Sequence, residues 1–396
     1  MRLRALLLAS ILLTATPLTA APFPEFTDLR EKAWAAEDAK DYDQSLKLYK
    51  ELVAKGDPAG HVGLALAYLQ GMGVKENDKT GADWMRKAVA LDYPPALTSM
   101  ALLIESGEGV PQDQVKANEM FRYAAEKGDP RGAYFMGLNH LEGRELEKSA
   151  ALAAPWFEKA ADAGHSDSMF ELAGLLSRGE GVARDDVRSL GLYTKAASMG
   201  HGGAMFALGA AHEFATGVQQ NRKMAVMWYS QAVAINYRDA YNNLAQAYLY
   251  GEGVEQDKVK AVALFEKGVA GGDPYAQANL GKILLDGVDA RANTKRGIEL
   301  LEAAAAQDLA WAKTELGEAL FRGRGIRQDR ERAAELYQQA AEAGDARAMR
   351  LLAACYAKGE GLAKDSAQAK KFYLKAVAAG DPDAKAELQA FIAAGG

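Results

Sequence analysis

Cysteine is almost absent from this chain: Cys355 is the only one in 396 residues. No internal disulfide can form, and neither a Cys-x-x-Cys redox motif nor a paired-thiolate metal site exists. At multiples of 36 residues from Cys355 stand Ala67, Leu103, Leu175, Ala211, Ala247, Ile283 and Ala319, all apolar, with Asn139 the one polar exception between Ala67 and Ala319. Cys355 is therefore expected to be a buried packing residue rather than a nucleophile. Basic clusters are missing as well. The formal net charge is −6, and −8 once Arg2 and Arg4 are lost with the N-terminal segment, which argues against nucleic acid or an anionic membrane surface as a partner. Beyond residue 21 no run approaches about 18 apolar residues, so no transmembrane segment is expected in the mature chain.

Catalytic spacings are lacking too. There is no Gly-x-Ser-x-Gly elbow, no His-Glu-x-x-His helix and no Gly-x-x-x-x-Gly-Lys-Ser/Thr loop. The Gly-Glu-Gly copies around Glu108, Glu180, Glu252 and Glu360 read as turns between helices. Five histidines offer no convergent metal set: His165 and His201 occupy turn positions, and His140 and His212 share the slot of Tyr68, Tyr248 and Tyr356. No cofactor and no metal is expected.

What the chain does contain is a start suited to export and a strict period. Arg2 and Arg4 precede the apolar stretch Ala5 to Leu13, and Thr19-Ala20-Ala21 supplies small residues, so residues 1–20 read as a cleaved signal peptide. The expected location is periplasmic or secreted.

From Gly251, steps of 36 residues reach Gly71, Gly107, Gly143, Gly179, Ala215, Gly287, Gly323 and Gly359. In phase run Asn77, Asp113, Ser149, Asp185, Asn221, Asp257, Asn293, Asp329 and Asp365, each able to accept a hydrogen bond from the free N–H groups of a helix's first turn. A third mark, Gly56, Gly128, Gly164, Gly200, Gly272, Gly344 and Gly380, is replaced only by Asp92, Asn236 and Asp308, which tolerate the left-handed conformation. Asp57-Pro58, Asp129-Pro130, Asp273-Pro274 and Asp381-Pro382 read as an N-cap followed by proline at the first helical position.

Residues 237–272 show the unit most plainly. Ala240, Leu244, Ala245 and Tyr248 share one face of a first helix, and Ala261, Leu264, Phe265, Gly268 and Val269 share one face of a second. A hairpin with one apolar face must stack on its neighbours. The expected fold is all-α: a right-handed α-solenoid of stacked helical hairpins. Residues 21–56 form an atypical hairpin cap, 57–380 nine hairpins, and 381–396 a closing helix. Two units break the pattern. Glu145 replaces the second turn glycine and Pro155 falls inside the next helix, predicting a lengthened turn or a kink; Asp289 predicts another altered turn.

The recurring Leu-Gly/Ala, Gly-x-Gly-Val and Ala-Ala…Gly-Asp signature, as at Leu280-Gly281, Leu316-Gly317, Met227-Trp228-Tyr229 and Ala340-Ala341 with Gly344-Asp345, resembles the Sel-one-like repeat family of the tetratricopeptide superfamily. The resemblance covers nearly the whole mature chain. It implies a scaffold that binds other proteins, with first helices lining the binding surface. Cysteine-rich secreted members are linked to β-lactam binding or hydrolysis; their paired cysteines are absent here.

On that analogy the variable wall slots are those of Asn242, Gln246, Leu249 and Tyr250. The Asn242 slot carries Tyr134, Phe170 and Phe206 in three consecutive units. The Tyr250 slot adds Phe214, and Tyr275, Trp311 and Phe321 continue the strip. The expectation is a non-enzymatic adaptor gripping a protein or peptide partner along these residues. Concave aromatics also stack on sugars, so a glycan-binding or envelope-polysaccharide role is the first alternative, and a cell-wall hydrolase or β-lactam-binding enzyme the second.

Overall fold

The computed structural model describes residues 26–287 and 293–395; the expectations for the segment 1–20 and for Asp289 fall outside them. The chain divides between Ala204 and Met205 into two compact units. The first holds α1 (Thr27–Asp38), α2 (Tyr42–Ala54), α3 (Pro58–Gln70), α4 (Asp78–Ala90), α5 (Pro94–Ser106), α6 (Gln114–Glu126), α7 (Pro130–Glu142), α8 (Ala150–Asp162), α9 (Ser166–Arg178) and α10 (Asp186–Ser198). Helix α11 (Gly202–Phe214) carries the division. The second unit continues with α12 (Arg222–Ala234), α13 (Ala240–Tyr250), α14 (Lys258–Ala270), α15 (Pro274–Asp286), α16 (Thr294–Ala305), α17 (Ala310–Arg322), α18 (Arg330–Glu342), α19 (Ala346–Lys358), α20 (Ser366–Ala378) and α21 (Ala384–Ala393). Among the described residues there is no strand. Within each unit every helix packs on the one before and the one after, as stacked hairpins require.

Local chemistry explains the regularity. All nine cap residues anticipated for the second helices, Asn77 through Asp365, accept a hydrogen bond from a first-turn N–H; losing one such cap costs about 1 kcal/mol. Asp57, Asp129 and Asp273 cap three of the four helices that begin with proline; α5, which starts at Pro94 after Tyr93, has no side-chain cap. At the C-terminal end Asp381 accepts from the N–H groups of Asp383 and Ala384, and the last helix starts at Ala384 rather than at Pro382. Asp92, Asn236 and Asp308 take positive φ in place of glycine, as does Ala215.

The core is a stack of one motif: a ring or branched side chain from a second helix set against a small residue of its first helix. Phe121, Phe157, Phe265 and Tyr229 are buried. A Cβ at Gly209 would lie 2.5 Å from the Tyr229 ring, so the motif's Gly/Ala position is small because the ring occupies that space. The second turn glycine is fixed by a different contact. Gly253 has φ +76° and a Cβ there would come within 2.4 Å of the Arg222 backbone, the first residue of the preceding second helix.

The lengthened turn expected around Glu145 is corrected. The connection from α7 to α8 has the same seven residues, 143–149, as 107–113 between α5 and α6, and Glu145 itself adopts φ 49°. Helix α8 runs unbroken through Pro155 for 13 residues. Pro155 lies on the exposed side of the helix, where water can satisfy the carbonyl that loses its partner, so a proline is tolerated there.

Candidate functional site

At 100° per residue, the second, sixth, ninth and thirteenth positions of a first helix fall on one stripe, and the fifth lies to the side of it. This geometry separates the anticipated strip into three groups.

Three members are rungs inside the stack. The ring of Tyr134 is 4.9 Å from His165, Phe170 stacks at 4.7 Å on His201, and Phe206 lies 6.1 Å from Tyr237. Each also meets the ring of its own second helix, Phe157, Tyr193 and Tyr229 respectively. All three are half-buried. Burial holds the Tyr134 phenol above its ordinary range.

Asn242 stands in the same slot but is 8% exposed and accepts from Asn279 Nδ2 at 2.9 Å. It belongs to the stack and not to an open wall. Leu249 is likewise buried. Trp311 and Phe321 are half-buried against the core of the second unit, and the Arg330 guanidinium sits over the Phe321 ring.

Phe214, Tyr250 and Tyr275 are the exposed members, at 67%, 65% and 56%. They do not form a continuous strip. Phe214 and Tyr250 end consecutive first helices, whereas Tyr275 is the second residue of α15; eleven helical positions correspond to about 16 Å along the axis.

The first helices that carry these aromatics, and the two first helices that follow, also carry paired polar side chains that the sequence reading missed. Asn243 Nδ2 is 3.4 Å from Glu213 and from the Tyr229 hydroxyl. Lys282 pairs with Glu315 at 2.8 Å, Arg347 with Glu315 and Glu318 at 2.5 and 2.7 Å, and Asp286 with Arg324 at 2.9 Å. Glu315 is buried, and two cations flank it. Lys282 and Glu318 stand at matched slots one repeat apart, but the contacts run across slots, Lys282 to Glu315 and Arg347 to Glu315 and Glu318.

The same polar logic closes both ends of the described chain. Arg30 donates twice to Asp57, at 2.7 and 2.9 Å, with side chains 3% and 0% exposed. Arg350 donates to Asp381 and Glu387 at 2.9 and 2.7 Å.

Other chemically capable groups are absorbed by the fold. His165 and His201 cap α9 and α11 through Nδ1. His201 Nε2 is 3.3 Å from Asp167, and that hydrogen bond lowers the Asp167 carboxyl pKa below its ordinary value. The Cys355 thiol is buried and pushed up to about 11 by desolvation. No group of three or more His, Cys, Asp or Glu residues able to hold a metal occurs among the described residues, and no described helix is long and apolar enough to cross a membrane.

Capped 36-residue hairpins, joined by left-handed glycine turns and stacked ring against small residue, define an α-solenoid repeat protein of the tetratricopeptide type. The family model for the Sel1 repeat matches nine consecutive segments, from 58–93 through 346–381, and the chain belongs to the Sel1 repeat family. Comparison with curated proteins gave no match. Among solved structures it is similar to c5321, a protective antigen of uropathogenic Escherichia coli strains with an SLR fold. That likeness has 26% identity and a TM-score of 0.63, and covers 87% of this chain and 81% of that one. A Sel1 repeat protein from Oxalobacter formigenes, at 23% identity and TM-score 0.55 over 87% and 89% of the two chains, shares the fold.

Proposed function

We propose that this protein is an exported, non-enzymatic scaffold that holds a protein or peptide partner on the first-helix face of residues 205–395. One observation carries the reading: Phe214, Tyr250 and Tyr275 stand in solvent on a run of first helices that also bears mutually paired polar side chains. Large aromatics that satisfy nothing internally are the residues that dominate binding energy once a partner covers them. These ordered polar pairs suit hydrogen bonding to a backbone or polar side chains at little entropic cost. The family supports a protein partner, because repeats of this class generally act through protein contacts. Export rests on the character of residues 1–20.

The test places a photo-crosslinking residue at Gln246, between the aromatic ends, in cells making the full chain. A protein adduct that forms with the wild-type face and is lost in Phe214→Ala/Tyr250→Ala, with helicity intact, supports the reading. An adduct unchanged by that pair defeats it, and an adduct with polysaccharide moves the assignment to glycan binding. Export is checked separately by N-terminal sequencing of the mature protein, which should begin at Ala21.

A further inference from the structure

We infer that His165 is an acid-labile helix cap, a pH-sensitive weak point built into one hairpin. Seven positions of the repeat place a residue immediately after the turn glycine; Asp57, Asp129, Asp273, Asp345 and Asp381 fill five of them, and His165 and His201 fill two. An aspartate cap stays an acceptor until its carboxyl protonates. A histidine cap fails at milder acidity, because Nδ1 can accept only while it carries no proton.

The cap itself rests on one nitrogen: His165 Nδ1 is the acceptor of the Ser168 backbone N–H, at 3.3 Å, and lies 3.0 Å from the Ser168 hydroxyl; both residues are buried. The backbone N–H can only donate, so the cap requires the neutral ring with its proton on Nε2. Protonation of Nδ1 would set an N–H against the Ser168 backbone N–H at the positive end of α9; the Ser168 hydroxyl can turn to accept the new proton, but the backbone N–H loses its cap.

The surrounding charges divide. Burial disfavours the imidazolium first; on the same helix Asp167 favours it, and from the preceding turn and α7 Arg131 disfavours it while Asp129 favours it. From the following turn His201 disfavours it. The Tyr134 ring, 4.9 Å away, is the remaining face. The net direction is a pKa below the ordinary histidine value.

The sign follows directly. The unfolded chain binds the proton more readily than the folded one, so the cap's contribution is full above the ordinary histidine pKa and is lost as pH falls from there through the lower folded-state pKa. His201 supplies an internal contrast. It caps the Ala204 N–H through Nδ1 in the same way but is only half-buried, with its Nε2 3.3 Å from Asp167.

Ring titration by NMR on the full chain tests this first: His165 should titrate below the ordinary histidine range of about 6.5, with the Ser168 amide resonance moving in step. A His165 midpoint above that value overturns the proposal. Thermal midpoints measured between about pH 7.5 and 5 provide the second readout. The fall should be smaller in His165→Asn, which caps without titrating; equal falls in wild type and His165→Asn also overturn it. Should His165→Asn prove too unstable to compare, His165→Asp, the repeat's own cap, replaces it.

Discussion

Residues 130–201 and residues 346–387 use the same slot pair in opposite chemistries. A fifth-position residue of a first helix meets the residue that follows the next return glycine, 31 positions on. In the first region the pairs are ring on ring, Tyr134 with His165 and Phe170 with His201. In the second the pair is ionic, Arg350 with Asp381, extended by Glu387. The backbone fixes where the two side chains meet and leaves open what they are, provided each satisfies the other. Residues that look in sequence like a recurring surface feature are thus the two halves of a private contact. Aromatics in a register do not by themselves define a binding strip.

The comparison can be broken most severely at an ionic contact. Arg30→Met should leave Asp57 buried without its counter-charge and cost about 3–5 kcal/mol in a denaturant titration, most of which Arg30→Met/Asp57→Asn should restore. A loss under 1 kcal/mol would mean that the pair is not desolvated. Next, Phe170→Ala should cost about 2 kcal/mol, less than a fully buried phenylalanine, while Phe214→Ala should cost under about 0.5 kcal/mol and act only on partner capture. Equal costs would erase the distinction between rung and exposed ring.

The sharper test transplants one chemistry into the other region. Tyr134→Arg alone should destabilise, and Tyr134→Arg/His165→Asp should recover about 1–2 kcal/mol of that loss as a coupling energy in a double-mutant cycle. Additive effects would refute the shared-slot account. The smallest effect separates two glycines. Gly272→Ala has only the left-handed backbone to pay for, since nothing lies within 4 Å of its Cβ position, whereas Gly253→Ala also meets the Arg222 backbone. The second should be worse by about 1 kcal/mol or more in melting experiments.

Caps, turns and the small-residue/ring packing were legible because each depends on one residue type at one spacing. Asn77 and Asp257 could be named as caps from the period alone, and Cys355 as a core residue from its apolar counterparts. The exposed face was not legible to the same degree. One position of helical rotation separates the slot of Asn242, turned into the stack, from that of Asn243, on its half-exposed edge, and periodicity without a second helix to pack against cannot set that angle. The ion pairs of Lys282, Glu315 and Arg347 were hidden for another reason: their members lie more than 30 residues apart, and only the stacking brings them together. Pro155 misled because the rule against proline inside a helix presumes a carbonyl that water cannot reach.

The contact between each second turn glycine and the preceding hairpin bears on how such a chain can change length. Gly109, Gly181, Gly253 and Gly361 are each gauged against the helix start one unit earlier. A single inserted residue would throw two neighbours out of register at once, whereas a whole inserted unit brings its own glycine and its own helix start. The architecture is therefore quantised: it resists growth by residues and admits growth by hairpins.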